Sequence, residues 1–312
     1  MLFYQAKNFL KEVVVNFFKD GALEHSAAIS FYVILSFPAF LLIAVSIGGL
    51  LLEQAEIQRQ IITYIQQITE LENTQFLENI LVQAVDFNTE ISTLISSILL
   101  IVTASAVLIA LQEALNDIWG ITEKPDSMIR NFLVDRSVSL IALFILGLLF
   151  IANTLLEILF GLGIGLIANY LPFSNTILNS VNFALGILLI FLIFLFIFKF
   201  LPDVKISWWD GIVGAVVTTS LFLLGKNIIS WYLSSKNLSS AYGAASSVIL
   251  FLLWVYYSTL ILFFGAEVTQ VYSNRFGSGI SPSENAEFKD SKLQSQSKLR
   301  RLVNLINPWH EE

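Results

Sequence analysis

Residues 244–267 read AASSVILFLLWVYYSTLILFFGAE, and the only charged residue in this stretch is the last one, Glu267. A helix rises about 1.5 Å per residue, so about 20 apolar residues cross a hydrocarbon core about 30 Å thick. Five further stretches meet the same criteria of length and composition, namely residues 29–52, 91–111, 137–160, 181–201 and 211–233. None of them alternates between apolar and polar residues as a barrel strand does, so all six are predicted to be helices.

These stretches predict an all-α integral membrane protein with six transmembrane helices. The composition agrees, because 56% of the 312 residues are hydrophobic and only 13% are charged, which is more apolar than soluble domains usually are. Residues 27–272 would form the membrane domain. The polar, serine-rich residues that follow predict a cytoplasmic and largely disordered tail over residues 273–312.

The distribution of basic residues predicts that both termini face the cytoplasm. With the N-terminus inside, nearly all of the 17 lysines and arginines lie in cytoplasmic segments, whereas Arg59 and Lys236 lie outside and Lys226 lies within a span. An excess of basic residues in short loops marks the cytoplasmic side of a membrane protein. The loop of residues 53–90 would then be external. Its apolar residues recur at helical spacing, which indicates either a helical cap over the outer face or a solvated helical hairpin.

Residues 1–26 are predicted to contain an amphipathic helix. One face of this segment is apolar and the opposite face is polar and flanked by lysines; the apolar face consists of Phe9, Leu10, Val13, Val14 and Phe17. Such a helix is typical of the cytoplasmic membrane interface, where its lysines would contact anionic lipid headgroups. The alternative is that the apolar face packs against the helical bundle.

The sequence offers little for redox, metal or nuclease chemistry. It contains no cysteine, and its two histidines, His25 and His310, lie near opposite ends of the chain. A disulfide, a thiolate site or a histidine-based metal site is therefore not expected. No soluble domain is large enough to present carboxylates and a basic track to a nucleic acid. We expect neither a cofactor nor a nucleic-acid partner.

Two ionisable residues lie deep within the predicted spans. By helical rise, Lys226 lies about 22 Å and Glu157 about 30 Å from the cytoplasmic ends of their spans. Both residues therefore fall in the outer half of the membrane, where a lysine side chain can reach a partner by extending along the apolar surface. Ionisable residues at membrane depth are costly and commonly functional, so a contact between Lys226 and Glu157 is one candidate site. The alternative is that Lys226 extends toward the outer headgroups.

A second polar group is predicted at the cytoplasmic ends of two spans that both run inward. Its members carry amide or carboxylate side chains: Gln112, Glu113, Asn116, Asp117 and Glu267. This cluster could bind a headgroup or control a path through the bundle. It could also cap the ends of the helices, which is the structural alternative. Three of its carboxylates could in principle hold a metal ion, but the sequence supplies no histidine beside them.

Three sequence motifs resemble the YihY/BrkB family of bacterial inner-membrane proteins, which formerly carried a ribonuclease BN label. The first is AAISFYVILSFP at residues 27–38, and the second is ALNDIWG at residues 114–120. The third comprises YGAA at residues 242–245, LWVYYS at residues 253–258 and GAE at residues 265–267. The three motifs occur in the family's order and span roughly residues 20–275.

The resemblance implies a multi-pass protein of the bacterial plasma (inner) membrane that is linked to envelope integrity. Movement of a lipid or another amphiphilic envelope component is the function it favours, and the old nuclease label is regarded as a misassignment. A non-transporting membrane scaffold is the alternative. An ion channel would need a continuous polar stripe, which residues 185–198 do not provide. The sequence leaves open whether the protein forms a homo-oligomer.

Overall fold

In the computed structural model, the fold is predominantly helical. The structure describes residues 2–48, 59, 62–63, 106–124, 174–233 and 246–289. We number the helices in these ranges as α1 (Leu2–Lys19), α2 (Ala22–Gly48), α3 (residues 106–118), α4 (Ser174–Phe200), α5 (Trp208–Leu233) and α6 (Ser246–Arg275). The predicted external loop apart from residues 59, 62 and 63, most of the second predicted span, the third predicted span, Glu157 and residues 290–312 lie outside the described residues.

Three of the described helices are long and apolar enough to cross a membrane. Their membrane-length segments are Phe183–Phe200 in α4, Trp208–Ile229 in α5 and Val248–Arg275 in α6. They overlap the fourth, fifth and sixth predicted spans, which confirms these three as apolar helices. The first predicted span lies mostly within α2, which continues through Pro38. The total of six spans and the orientation of the termini stay predictions.

Two short antiparallel strand pairs accompany the helices, and the sequence patterns did not predict them. Strand β1 (Ile121–Glu123) pairs with β4 (Ala286–Phe288), with Ile121 opposite Phe288. Strand β2 (Val204–Lys205) pairs with β3 (Ser281–Pro282), with Val204 opposite Pro282. We expected all of residues 273–312 to form a largely disordered tail. Instead, residues 273–275 extend α6, and the strands β3 and β4 fall within residues 281–288.

Three glycines with a left-handed backbone lie in the connections between helices and strands. Gly21 has φ 69° between α1 and α2, Gly120 has φ 64° between α3 and β1, and Gly279 has φ 80° between α6 and β3. A side chain disfavours this backbone region, so glycine is suited to each of these positions. The three glycines thus allow the backbone to leave α1, α3 and α6 and enter the next element.

The chain divides into two compact units. The first comprises residues 1–17, 115–220 and 264–312, and the second comprises residues 18–114 and 221–263. The first unit has a core in which Val13 of α1 packs with Val268 and Val271 of α6. The helix α1 is therefore held against α6 through part of its apolar face, as the packing alternative required. Leu10 and Val14 on the same predicted face are exposed and stay available for a membrane interface.

The second unit is built on aromatic and branched apolar contacts. Phe37 of α2 packs on Phe251 of α6, with ring centroids 4.6 Å apart. Leu250 is buried among partly buried apolar residues, namely Ile229, Leu253 and Trp254. Apolar contacts therefore hold α2 against α6 and α5 against α6 within the described part of this unit.

Candidate functional site

Two glycines and two threonines bring α5 and α6 into close contact in the first unit. Thr269 of α6 lies against Gly214 of α5, where an added Cβ atom would be 2.8 Å from the Thr269 Cβ. Thr218 of α5 lies against Gly265 of α6 in the same way, also with a Cβ–Cβ separation of 2.8 Å. Small residues allow membrane helices to approach this closely. We call these four residues the Gly/Thr contact.

The hydroxyl groups of the Gly/Thr contact are satisfied within their own helices. Thr218 donates to the carbonyl oxygen of Gly214 at 2.7 Å, and Thr269 donates to that of Gly265 at 2.7 Å. Each threonine therefore bonds the glycine of its own helix and packs on the glycine of the other helix. Because chain numbers rise along α5 as they fall along α6 through these contacts, the two helices run antiparallel here.

One turn further along, the same antiparallel register pairs Asp210 with Ser273. The Ser273 hydroxyl donates to Oδ2 of Asp210 at 2.7 Å, and both residues are at least 98% buried. Asp210 lies in the first turn of α5, where backbone N–H groups that are not bonded within the helix stabilise a negative charge. The backbone at Gly277 lies close to this carboxylate, since a Cβ added there would be 2.6 Å from the Asp210 Cγ. The buried Asp210 carboxylate therefore accepts a hydrogen bond from Ser273, lies at the N-terminal end of α5 and packs against the backbone of Gly277.

Glu267 is the predicted site residue that the structure buries most completely. Its side chain is 0% exposed, and its neighbours Ala266 and Val268 are also buried. Along the same helix, the polar residues Thr269 and Gln270 are buried as well. Withdrawing a charged carboxylate from water costs several kcal/mol unless other groups compensate. A carboxylate in this environment is therefore a candidate for a functional group rather than a surface residue.

Asn116 joins the end of α3 to the connection between α4 and α5. Its Nδ2 donates to Oδ2 of Asp203 at 2.8 Å, and its Oδ1 accepts from the backbone N–H of Asp203 at 2.8 Å. The carbonyl oxygen of Asp203 in turn accepts from the backbone N–H of Ser283 at 2.9 Å. This part of the predicted cluster therefore connects three segments that are far apart in sequence.

Asp117 forms an ion pair with Lys289 at the end of strand β4. The backbone N–H of Lys289 donates to the carbonyl oxygen of Gly120 at 2.9 Å, so the pair lies beside the β1–β4 pairing. Lys124 donates to the carbonyl oxygen of Glu284 at 2.6 Å from the other end of β1. Both side chains of the ion pair are partly exposed. We therefore expect the pair to hold the end of β4 near α3 rather than to affect the buried polar groups.

The predicted cluster is divided between the two units. Asn116, Asp117 and Glu267 belong to the first unit, whereas Gln112 and Glu113 belong to the second. Gln112 is buried and Glu113 is exposed. Lys226 also belongs to the second unit and is half-buried. Its proposed contact with Glu157 stays a prediction, because Glu157 is outside the described residues.

Sequence reasoning missed Asp203, Asp210 and Ser273. Asp210 follows two tryptophans at the predicted start of a span, where an acidic residue is commonly a helix cap. A signal was present in the spacing, because polar and small residues recur every four positions at 210, 214 and 218 and again at 265, 269 and 273. Such four-residue rows are the ridges along which helices pack. Among the residues that the structure describes, no group of three or more histidine, aspartate or glutamate side chains could hold a metal ion.

Several motif residues have clear packing roles in the structure. Trp119 is fully buried, and Gly120 supplies the left-handed turn and the carbonyl group that Lys289 contacts. Gly265 receives Thr218, and Tyr257 lies against Gly225 of α5 in the second unit. These motifs therefore specify close contacts between helices and turns, with Glu267 as their buried charged member.

Comparison with known proteins gives one family and a set of bacterial membrane proteins. The model of the family Virulence factor BrkB matches residues 13–290. A UPF0761 membrane protein of Mannheimia succiniciproducens is 30% identical over 191 residues, which cover 59% of this chain and 61% of that protein. UPF0761 membrane proteins of Actinobacillus pleuropneumoniae and Pseudomonas aeruginosa are each 28% identical, over 56% of this chain and over 61% and 41% of their own lengths, respectively. The matched region thus spans less than two thirds of these relatives. No solved structure matches the chain.

Proposed function

This chain belongs to the Virulence factor BrkB family of bacterial membrane proteins, and we propose that it moves a lipid or another amphiphilic envelope component across the membrane. The observation that carries the proposal is the complete burial of Glu267 in a helix of membrane length. Ionisable residues inside membrane helices are rare because they are costly, and they commonly mark the path of a substrate or an ion.

The helix α6 buries further polar residues besides Glu267, and one of them, Gln270, lies one turn from Glu267 on the same helix face. Thr269, Gln270 and Ser273 follow on the same helix and are buried, and Ser273 contacts the buried Asp210. Thr269 and Ser273 make contacts to α5, whereas leucine at position 267 or 270 would pack without the desolvation cost of a polar side chain. Lys226 of the second unit is a separate candidate, since it is half-buried in α5 and would supply a cationic contact for an anionic headgroup.

The protein would lie in the bacterial plasma (inner) membrane, with both termini in the cytoplasm. It would have no enzymatic activity. Lipids with anionic headgroups would be the partners of α1, whose exposed Leu10 and Val14 adjoin the exposed Lys7 and Lys11. Because the chain has no cysteine, single substitutions Lys19→Cys and Glu72→Cys can be labelled from either side. Labelling of the two positions from opposite sides would agree with the proposal, and labelling from the same side would contradict the topology.

The function can be tested with purified protein in vesicles made from bacterial lipids. Wild type should move labelled phospholipids between leaflets, and Glu267→Gln should lower the rate by about tenfold, which corresponds to about 1.4 kcal/mol in the barrier. Glu287→Gln is a matched control, because Glu287 is an exposed glutamate on β4. Lys226→Ala, compared with wild type by native mass spectrometry, should lose a co-purifying lipid. The transport proposal would be contradicted if the wild-type protein neither moved any native lipid between leaflets nor retained one.

A membrane scaffold is the second candidate, and the Gly/Thr contact favours it. The threonine side chains of the Gly/Thr contact pack directly on the glycine backbone of the opposite helix, and both hydroxyl groups are satisfied within the helices. In a scaffold, Glu267 would have a structural role only. Glu267→Gln would then lower thermal stability while the distribution of lipids between leaflets stays as it is in vesicles without protein.

A further inference from the structure

An exposed aromatic ridge lies where α4 ends and α5 begins. Phe200, Trp208 and Trp209 are 52%, 55% and 64% exposed. The Phe200 and Trp208 rings meet edge to face with centroids 5.8 Å apart, and Phe196 extends the row along α4 at 5.2 Å from Phe200. Isolated exposed apolar residues are ordinary on a protein surface, but a contiguous aromatic group at the ends of two membrane-length helices is typical of the membrane–water boundary.

A lysine is fixed on this ridge. The Nζ of Lys199 lies 5.2 Å from the centroid of the Trp208 ring and also donates to the carbonyl oxygen of Ile206. The cation is therefore held by a ring face and by the backbone of the α4–α5 connection. An ammonium group has three N–H donors, and one of them is used by Ile206. The others can bond to the oxygens of an anion that approaches from the membrane.

The apolar surfaces on both sides of the ridge indicate what that anion is. The membrane-length segments Phe183–Phe200 and Trp208–Ile229 start from this corner, so acyl chains would lie along them while the headgroup stays at the level of the tryptophans. An anionic headgroup would complement the charge of Lys199, which also interacts with the buried Asp210. We propose that the corner formed by Lys199, Phe200, Trp208 and Trp209 binds the phosphate headgroup of an anionic phospholipid. This site does not depend on the transport function proposed above.

The site can be tested by native mass spectrometry of protein taken from nanodiscs that contain equal amounts of phosphatidylglycerol and phosphatidylcholine. Lys199→Met keeps an unbranched apolar side chain over Trp208 and removes the charge. It should lower the retained ratio of phosphatidylglycerol to phosphatidylcholine by about fivefold, the factor expected for one basic residue at an anionic surface. Lys199→Arg should retain the wild-type ratio. Lys205→Met is the matched control, because Lys205 is an exposed lysine in the same connection, and it should also retain the ratio.

Each other outcome would overturn the proposal. Equal losses for Lys199→Met and Lys205→Met would mean that general surface charge attracts the lipid. An unchanged ratio for Lys199→Met would mean that the lysine only supports the turn through Ile206. A loss for Lys199→Arg as large as that for Lys199→Met would mean that charge does not determine the selection. Thermal unfolding of each variant in the same nanodiscs would confirm that the ratios come from folded protein.

Discussion

Substitution of Gly214 by alanine should separate α5 from α6. The new Cβ atom would lie 2.8 Å from the Thr269 Cβ and 3.1 Å from its Cγ2, whereas carbon atoms in favourable contact are about 3.5 Å or more apart. The Thr269 Oγ1 would lie nearer still to the new atom, so the helices must move apart or the threonine side chain must rotate. Overpacking of this kind costs about 1–3 kcal/mol, and we expect a loss of that size in the free energy of unfolding.

A matched control isolates the steric cost from the helix propensity of alanine. Gly186 lies in α4, and a Cβ added there would meet nothing within 4 Å. Gly186→Ala should therefore leave stability unchanged or raise it by about 0.5–1 kcal/mol, the usual gain of alanine over glycine inside a helix. Both variants can be compared by equilibrium unfolding in mixed micelles, with helix content followed by circular dichroism.

Variants of Thr269, which packs on Gly214, test the same contact from the other helix. Thr269→Ala should rescue only part of the loss in Gly214→Ala, because it removes the Oγ1 that lies nearest the added Cβ atom but leaves the Cβ of residue 269 at 2.8 Å. Thr269→Gly should rescue it, so the double variant should be less destabilised than the sum of the two single variants by about 1–3 kcal/mol. If Gly214→Ala were no more destabilising than Gly186→Ala, or if Thr269→Gly gave no rescue, the close approach of α5 and α6 would be refuted.

Three further predictions concern the segments that meet in the first unit. Asn116→Ala removes both hydrogen bonds to Asp203 and should cost about 1–3 kcal/mol, since the partly buried partner loses its bonds; an unchanged melting temperature would contradict this pairing. Lys289→Ala breaks a partly exposed ion pair with Asp117 and should cost less than about 1 kcal/mol because water screens the charges; a larger loss in the same unfolding assay would mean that the pair is buried in the membrane-embedded protein. A chain that ends at Arg275 loses both strand pairings and should be more sensitive to limited proteolysis than Lys289→Ala, and equal digestion rates would show that the strands do not hold the unit together.

The helices of the fold could be predicted from hydropathy, but their ends could not. Residues 244–267 were predicted as a span, and α6 runs from Ser246 to Arg275. The helix continues because Glu267, Thr269 and Ser273 are covered by other parts of the protein, so polar residues need not mark its end. A hydropathy pattern identifies the apolar part of a helix. It does not detect polar turns of the same helix that are buried by other segments of the chain.

The candidate site was predicted less completely than the fold. Glu267 and Asn116 were singled out because polar residues near apolar spans are unusual, and the structure buries both. Asp210 was not singled out, and an acidic residue at a helix start has an ordinary explanation in capping. Its burial against Ser273 depends on α6, which is encoded elsewhere in the chain. The tail after residue 275 looked disordered because its strands are too short and too polar to be recognised without their partners.

The sequence by itself determined that hydrocarbon is the solvent of α4, α5 and α6, because hydropathy is a sum over neighbouring residues and needs no knowledge of the rest of the chain. Only the tertiary structure decided which polar groups meet. Asp210 and Ser273 are 63 positions apart, Asn116 and Asp203 are 87 apart, and Asp117 and Lys289 are 172 apart. Such pairs depend on the register in which helices and strands pack. In α5 and α6 that register is set by where a glycine lets a threonine approach, which local composition does not encode.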